Sequence, residues 1–231
     1  MRQRDKSGLT EIEMNKLFRD IRHGDLEAVR AIISKNVAAI NEVYTGKAPK
    51  KDIGQSPLQV AIKCGEFEII AFLLENGADP DFMENPEVVP PYTVCMPVLQ
   101  DAITGAFAAL CYKQYVHSEK YVRLIKMLLE NGANPNRKAS SEMLPIGMAV
   151  HMAEQILCRR DAYPDIQEIT QKRLFEVLDL LIEYGADKEE WLNQNFLGIS
   201  NKAYYFEEKQ YGINHTDIRE PIRITLKEYF E

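Results

Sequence analysis

Four histidines, four cysteines and a few neighbouring acids are the side chains of this 231-residue chain with chemistry in reach. His23, His117, His151 and His215 are scattered, and none opens a His-Glu-x-x-His pair or joins a cysteine at zinc-binding spacing, so no metal or other cofactor is expected. Cys64, Cys95, Cys111 and Cys158 lie far apart without the spacing of a disulfide framework, which points to a reducing compartment. Cys64, beside Gly65, reads as a packing residue. Asp79-Pro80-Asp81 could offer calcium two carboxylates, but Asn134-Pro135-Asn136 takes the same place farther on, so both read as turns. Phosphate-binding glycine loops and the Gly-x-Ser-x-Gly elbow do not occur. One constellation is left for catalysis, with His151, Glu154 and Tyr112 around a small substrate in a trough between helices. Open helical stacks rarely exclude water, and the chain is expected not to be an enzyme.

The elements that would position such residues announce themselves by repetition. Leu73-Leu74-Glu75-Asn76-Gly77-Ala78-Asp79, Leu128-Leu129-Glu130-Asn131-Gly132-Ala133-Asn134 and Leu181-Ile182-Glu183-Tyr184-Gly185-Ala186-Asp187 are three versions of one helix end. Paired apolar residues precede each glycine at fixed offsets, as in Ile69-Ile70, Leu124-Ile125 and Val177-Leu178. Pairs four apart give a wide apolar stripe, and the glycine suits a left-handed residue that closes the helix. A fourth copy, Ala28-Val29 and Ile32-Ile33, ends at Asn36, the next best residue for that conformation. Ahead of each later copy stands a shorter signature: Ser56-Pro57-Leu58-Gln59-Val60-Ala61, Pro97-Val98-Leu99-Gln100-Asp101-Ala102 and Leu144-Pro145-Ile146-Gly147-Met148-Ala149. Ser56 is placed to cap a helix that Pro57 begins.

Jointly these motifs resemble the ankyrin repeat, whose Thr-Pro-Leu-His-x-Ala and Gly-Ala-Asp signatures recur at about 33 residues. Residues 56 to 79 match it most closely. Gln59, Gln100 and Gly147 replace the usual histidine, so the tie which that side chain makes to the neighbouring turn should be altered or lost. The resemblance implies an all-α solenoid of stacked helix-turn-helix units with projecting β-turn fingers. It would form one array over residues 1–231: a lead at 1–13, a capping repeat at 14–42, a second repeat at 56–81, extended repeats at 97–136 and 144–188, and a C-terminal cap at 189–231. Rings concentrated in that last segment, among them Trp191, Phe196, Tyr205, Tyr211, Tyr229 and Phe230, are expected to cover the final apolar face.

Insertions carry the chain's individuality. Pro57 to Gly77 spans 20 residues, but Val98 to Gly132 spans 34 and Pro145 to Gly185 spans 40. The stripe continues through Leu99, Ala102, Ile103, Ala106, Phe107 and Leu110, and again through Ile146, Ala149, Val150, Ala153 and Leu157, which predicts long paired helices turning near His117-Ser118 and Tyr163-Pro164. Two further insertions fall in the fingers, residues 41–55 with Tyr44, Lys47, Lys50 and Lys51, and residues 79–96 with Phe82, Met83, Val88, Val89 and Tyr92. Long ordered loops on a rigid scaffold tend to be functional. Two readings of the second finger stand: an exposed apolar anchor, or apolar residues folded back as a staple.

Charge narrows the partner. Residues 55–118 carry 2 Lys+Arg against 8 Asp+Glu, which disfavours nucleic acid and anionic membrane and suits a protein with a basic surface. The leading residues lack an apolar stretch and no run reaches a membrane span, so a cytoplasmic or other reducing intracellular location is expected. As the resemblance implies, the expected role is that of a protein-protein interaction module, its partner held by the fingers through Tyr44, Lys50, Lys51, Met83, Val88, Val89 and Tyr92. First helices would floor a concave face with Lys63, Gln100 and Thr104. Beside this stand an immunity-type inhibitor or effector that sequesters a toxin or host protein, and the enzyme already considered.

Overall fold

The computed structural model describes residues 9–46, 50–196, 198–207 and 216–230. Its described residues fold as helices α1 (Glu11–Arg22), α2 (Leu26–Lys35), α3 (Pro57–Cys64), α4 (Phe67–Glu75), α5 (Val98–Cys111), α6 (Tyr115–Glu130), α7 (Pro145–Leu157), α8 (Gln167–Glu183), α9 (Lys188–Asn193), α10 (Asn201–Phe206) and α11 (Thr216–Phe230). One two-stranded antiparallel hairpin, β1 (Asn195–Phe196) with β2 (Ile199–Ser200), pairs Asn195 with Ser200 and Phe196 with Ile199. This is an all-α repeat fold.

Packing divides the chain into two compact units. The first holds the described residues of Met1–Ala102, Met127–Ala133 and Ala139–Glu142, and the second those of Ile103–Lys126, Asn134–Lys138 and Met143–Glu231.

Local chemistry sets several of the helix ends. Thr10 and Glu13 form a reciprocal capping box on α1, and Ser56 accepts the Gln59 amide at 3.2 Å ahead of Pro57 at the start of α3. The repeated stop signal behaves as its residues require. Gly77, Gly132 and Gly185 take φ of 92°, 99° and 90°, and the following alanine amide reaches back to the carbonyl of Leu73, Leu128 or Leu181 at 2.8–3.0 Å. Asn36 departs from expectation. It leaves α2 with φ −145°, outside the left-handed region, and opens a 3-10 turn at Val37–Asn41. There Asn41 Nδ2 donates to Gly77 O at 3.0 Å while its Oδ1 accepts the Asp79 amide at 2.8 Å. Asn136 repeats this clamp on Gly185 O and the Asp187 amide, at 2.8 and 2.7 Å, inside the second unit.

The second unit is built on the long hairpins. Every residue of the two predicted stripes is buried, so the lengthened first helices are real. Their turns differ in accuracy. The α7–α8 turn ends at Tyr163 and Pro164 as read, but the α5–α6 turn sits at Tyr112–Gln114, not at His117-Ser118. Lys113, at φ 57°, closes α5, and Ser118 lies buried inside α6 with its hydroxyl donating to Ala106 O at 2.7 Å. Replacing Ser118 with alanine should leave that carbonyl bond unmade and lower stability by about 1 kcal/mol, measurable by urea unfolding. Gly105 lets the helices close: a Cβ there would stand 2.4 Å from the Tyr121 ring.

At the end of the second unit Trp191 is sealed, its indole 6.0 Å from the Tyr205 ring and 5.8 Å from Phe230. The indole packs over Gly147, one of the three positions without the usual histidine: a Cβ there would lie 3.5 Å from the ring, at ordinary contact distance. Tyr205 donates its hydroxyl to Glu154 Oε2 at 3.1 Å and Tyr229 donates to Asp179 at 2.6 Å. Tyr211 and His215, and the side chain of Phe196, lie outside the described residues.

Candidate partner-binding surface

The two fingers belong to the first unit, and both begin as short paired backbones. In the first, Tyr44 and Gly54–Gln55 exchange two amide bonds, Tyr44 N to Gln55 O and Gly54 N to Tyr44 O, each 2.9 Å. Its returning arm is pinned by an ion pair between Arg22 on α1 and the buried Asp52. Tyr44 is wholly buried, which corrects its reading as a contact residue. Its hydroxyl donates to Asn15 Oδ1 at 2.6 Å and its ring lies 4.8 Å from Phe18. Gly46 carried the missed signal, since a Cβ there would stand 2.5 Å from that ring's hydroxyl. Lys50 is exposed; Lys47 and the Lys51 side chain lie outside the described residues.

The second finger is held at three points. Met83 bridges Pro97 in antiparallel fashion, and the Val98 amide donates to Phe82 O at 3.0 Å. Cys95 exchanges two bonds with Ser140: its amide donates to Ser140 Oγ at 3.0 Å and its carbonyl accepts the Ser140 amide at 2.9 Å. Val89 is buried over Gly54 of the first finger, where a Cβ would lie 2.6 Å from Val89 Cγ1. The staple reading thus holds for Val89, which is corrected as a contact.

Between these points the neighbours of Val89 are not folded back but exposed. Val88 is 42% exposed, Val94 51%, and Tyr92 fully so, with Pro90 and Pro91 exposed between them. Val94 is not among the contacts expected from the sequence; the buried, anchored Cys95 that follows it leaves Val94 on the outside. Tyr92 has φ 66°, a left-handed conformation that a bulky residue adopts only when its surroundings enforce it, and one that collects at functional sites. Residues 64–112 hold eight acids and no Lys or Arg. Glu68, Glu75, Asp79 and Glu87 of these are exposed.

The expected floor residues fare differently. Gln100 is fully buried on α5, so it is withdrawn as a contact; it follows the apolar face of α5 into the core. Thr104 is half-buried, and Lys63 is engaged with Glu84 at 3.0 Å. Gln59 does make an altered version of the histidine tie: its Nε2 donates to Asp101 Oδ2 at 2.7 Å and to Met96 O at 3.3 Å.

For the catalytic constellation, Glu154 is buried and committed to Tyr205, while His151 and Tyr112 are exposed. Among the described residues no three His, Cys, Asp or Glu side chains gather as a metal site, and no helix is long and apolar enough to cross a membrane. The four cysteines are free thiols. No curated protein matches the chain. Residues 53–85, which span α3, α4 and the start of the second finger, match the ankyrin repeat family. Proteins of that family are typically non-enzymatic, and their repeats generally mediate binding to other proteins. The chain therefore carries an ankyrin repeat within an all-α repeat fold.

Proposed function

We propose that this chain is a non-enzymatic intracellular module that binds one protein partner through the tip of the second finger, with Val88, Tyr92 and Val94 as apolar anchors. The exposure and left-handed backbone of Tyr92, on a loop otherwise pinned at Met83, Val89 and Cys95, carry this reading. A large aromatic presented without loss of loop entropy is the kind of group that dominates interface energy. The acidic stretch from Glu66 to Glu87 favours a partner whose pocket for Tyr92 is rimmed by Lys and Arg, which speeds encounter and selects against acidic surfaces. Exposed Lys50 and part-buried Met83 are further candidate contacts.

Affinity capture with crosslinking identifies the partner, and titration of the two purified proteins tests the site. Val88→Ala with Tyr92→Ala should weaken binding by about 2–4 kcal/mol, or roughly 30- to 1,000-fold in Kd, with the melting temperature moved by less than about 2 °C. Val89→Ala should do the reverse and lower the melting temperature first. An unchanged Kd in the double variant overturns the proposal.

A further inference from the structure

Two buried carboxylates share one ammonium at the root of the second finger. Glu84, on the finger, and Asp101, in the first turn of α5, are 2% and 7% exposed. Lys63 Nζ, on α3, stands 3.0 Å from Glu84 Oε1 and 3.7 Å from Asp101 Oδ2. Glu84 Oε2 also accepts the Met96 amide at 3.1 Å, so this one carboxylate joins the finger's outgoing and returning strands and ties both to α3. Gln59 holds Asp101 from α3, and the buried thiol of Cys95 is the remaining titratable group facing the cluster from the finger. Burial, and after it the Glu84 charge, pushes that thiol up, so it stays neutral here.

A single cation cannot neutralise two buried carboxylates. An unpaired buried charge is costly, and a proton held by one of the pair removes it. We infer that the cluster is a proton-operated latch on the second finger: with Asp101 protonated, Lys63 belongs to Glu84 and the finger's root is held, whereas ionised Asp101 competes for Lys63, repels Glu84 and loosens the root. Loss of hydration pushes the Asp101 carboxyl up from 3.8 to about 7, with Glu84 adding to the rise and Lys63 and Gln59 opposing it. The sign follows. Because the folded chain binds this proton more tightly than the unfolded chain, its contribution to stability is full below about pH 3.8 and is lost as pH rises through about 7. Partner binding would then weaken over the same interval, a consequence that rests on the finger being the binding site.

The latch is tested on the full chain without a partner. Carboxyl-carbon NMR of Asp101 and the amide resonance of Met96 are followed from pH 5 to 9. Both should move with one midpoint near 7, and in Asp101→Asn the Met96 amide should lose that inflection. Urea midpoints of the parent should fall from pH 5 to 8 while those of Asp101→Asn stay level relative to it. An Asp101 carboxyl that titrates below pH 5, or a Met96 inflection that survives Asp101→Asn, overturns the latch. Should that variant not fold, Lys63→Gln removes the cation and must raise the Asp101 midpoint by at least about one pH unit; no rise overturns it equally. No readout involves a partner, so failure here leaves the finger's binding role standing, and a partner that binds elsewhere leaves the latch standing.

Discussion

Trp191→Ala should cost about 3–5 kcal/mol of stability, the largest loss expected from a single substitution in this protein. The indole is 1% exposed and is the largest sealed side chain in the second unit, clasped by Tyr205 and Phe230 and seated on Gly147. Truncation removes the transfer energy of the ring and leaves a cavity walled by other rings, which cannot collapse without breaking the bond from Tyr205 to Glu154. For a chain of this size each kcal/mol moves the melting temperature by about 2–4 °C, so a fall of roughly 6–20 °C is expected by calorimetry. Trp191→Phe should recover much of it, because a ring still fills the seat. A melting temperature unchanged in the alanine variant would mean that the last apolar face is covered without this residue.

Gly54→Ala should destabilise by about 2–4 kcal/mol, through two separable causes. Its φ of 83° costs any residue with a Cβ roughly 1 kcal/mol, and the added methyl would stand 2.6 Å from Val89 Cγ1. Gly77→Ala is the control, since its φ is 92° but nothing lies within 4 Å of the added Cβ, so only the conformational cost of about 1 kcal/mol should appear. Pairing Gly54→Ala with Val89→Ala removes the collision and should give a coupling of about 1–2 kcal/mol in a double-mutant cycle followed by urea unfolding. Additive losses would show that the two fingers do not bear on each other at Val89. Coupling there also matters for binding, because the same contact turns Val89 inward and leaves Val88 on the outside.

The helical stripes, the glycine stops and the Ser56-Pro57 start were legible in the sequence because each rests on neighbours within a few residues. A 3.6-residue period, a backbone angle that disfavours a Cβ and a hydroxyl within reach of an amide act locally, and α3, α5 and α7 followed from them. What local rules could not fix was the partner of each side chain across a loop. Tyr44 reads as a contact and Val89 is left open between anchor and staple because both sit in long insertions without a helical period, yet each meets a glycine-lined seat, at Gly46 and Gly54, and burial of a large apolar group outweighs loop composition. Ser118 read as a turn residue until its hydroxyl found the Ala106 carbonyl on the facing helix.

By itself the sequence determined that this is an all-α chain of repeated helical hairpins with two lengthened fingers, the second of them acidic, since periodicity, stop signals and charge are properties of the chain alone. Only the tertiary structure decided which finger residues face out. Val88 and Val89 are adjacent and chemically identical, and a contact with Gly54 across the fold sends one inward and leaves the other, with Tyr92, in water. Likewise the sequence supplied Lys63, Glu84 and Asp101 on three separate segments, and folding alone brought two carboxylates to one ammonium, where the loss of water makes their protonation matter.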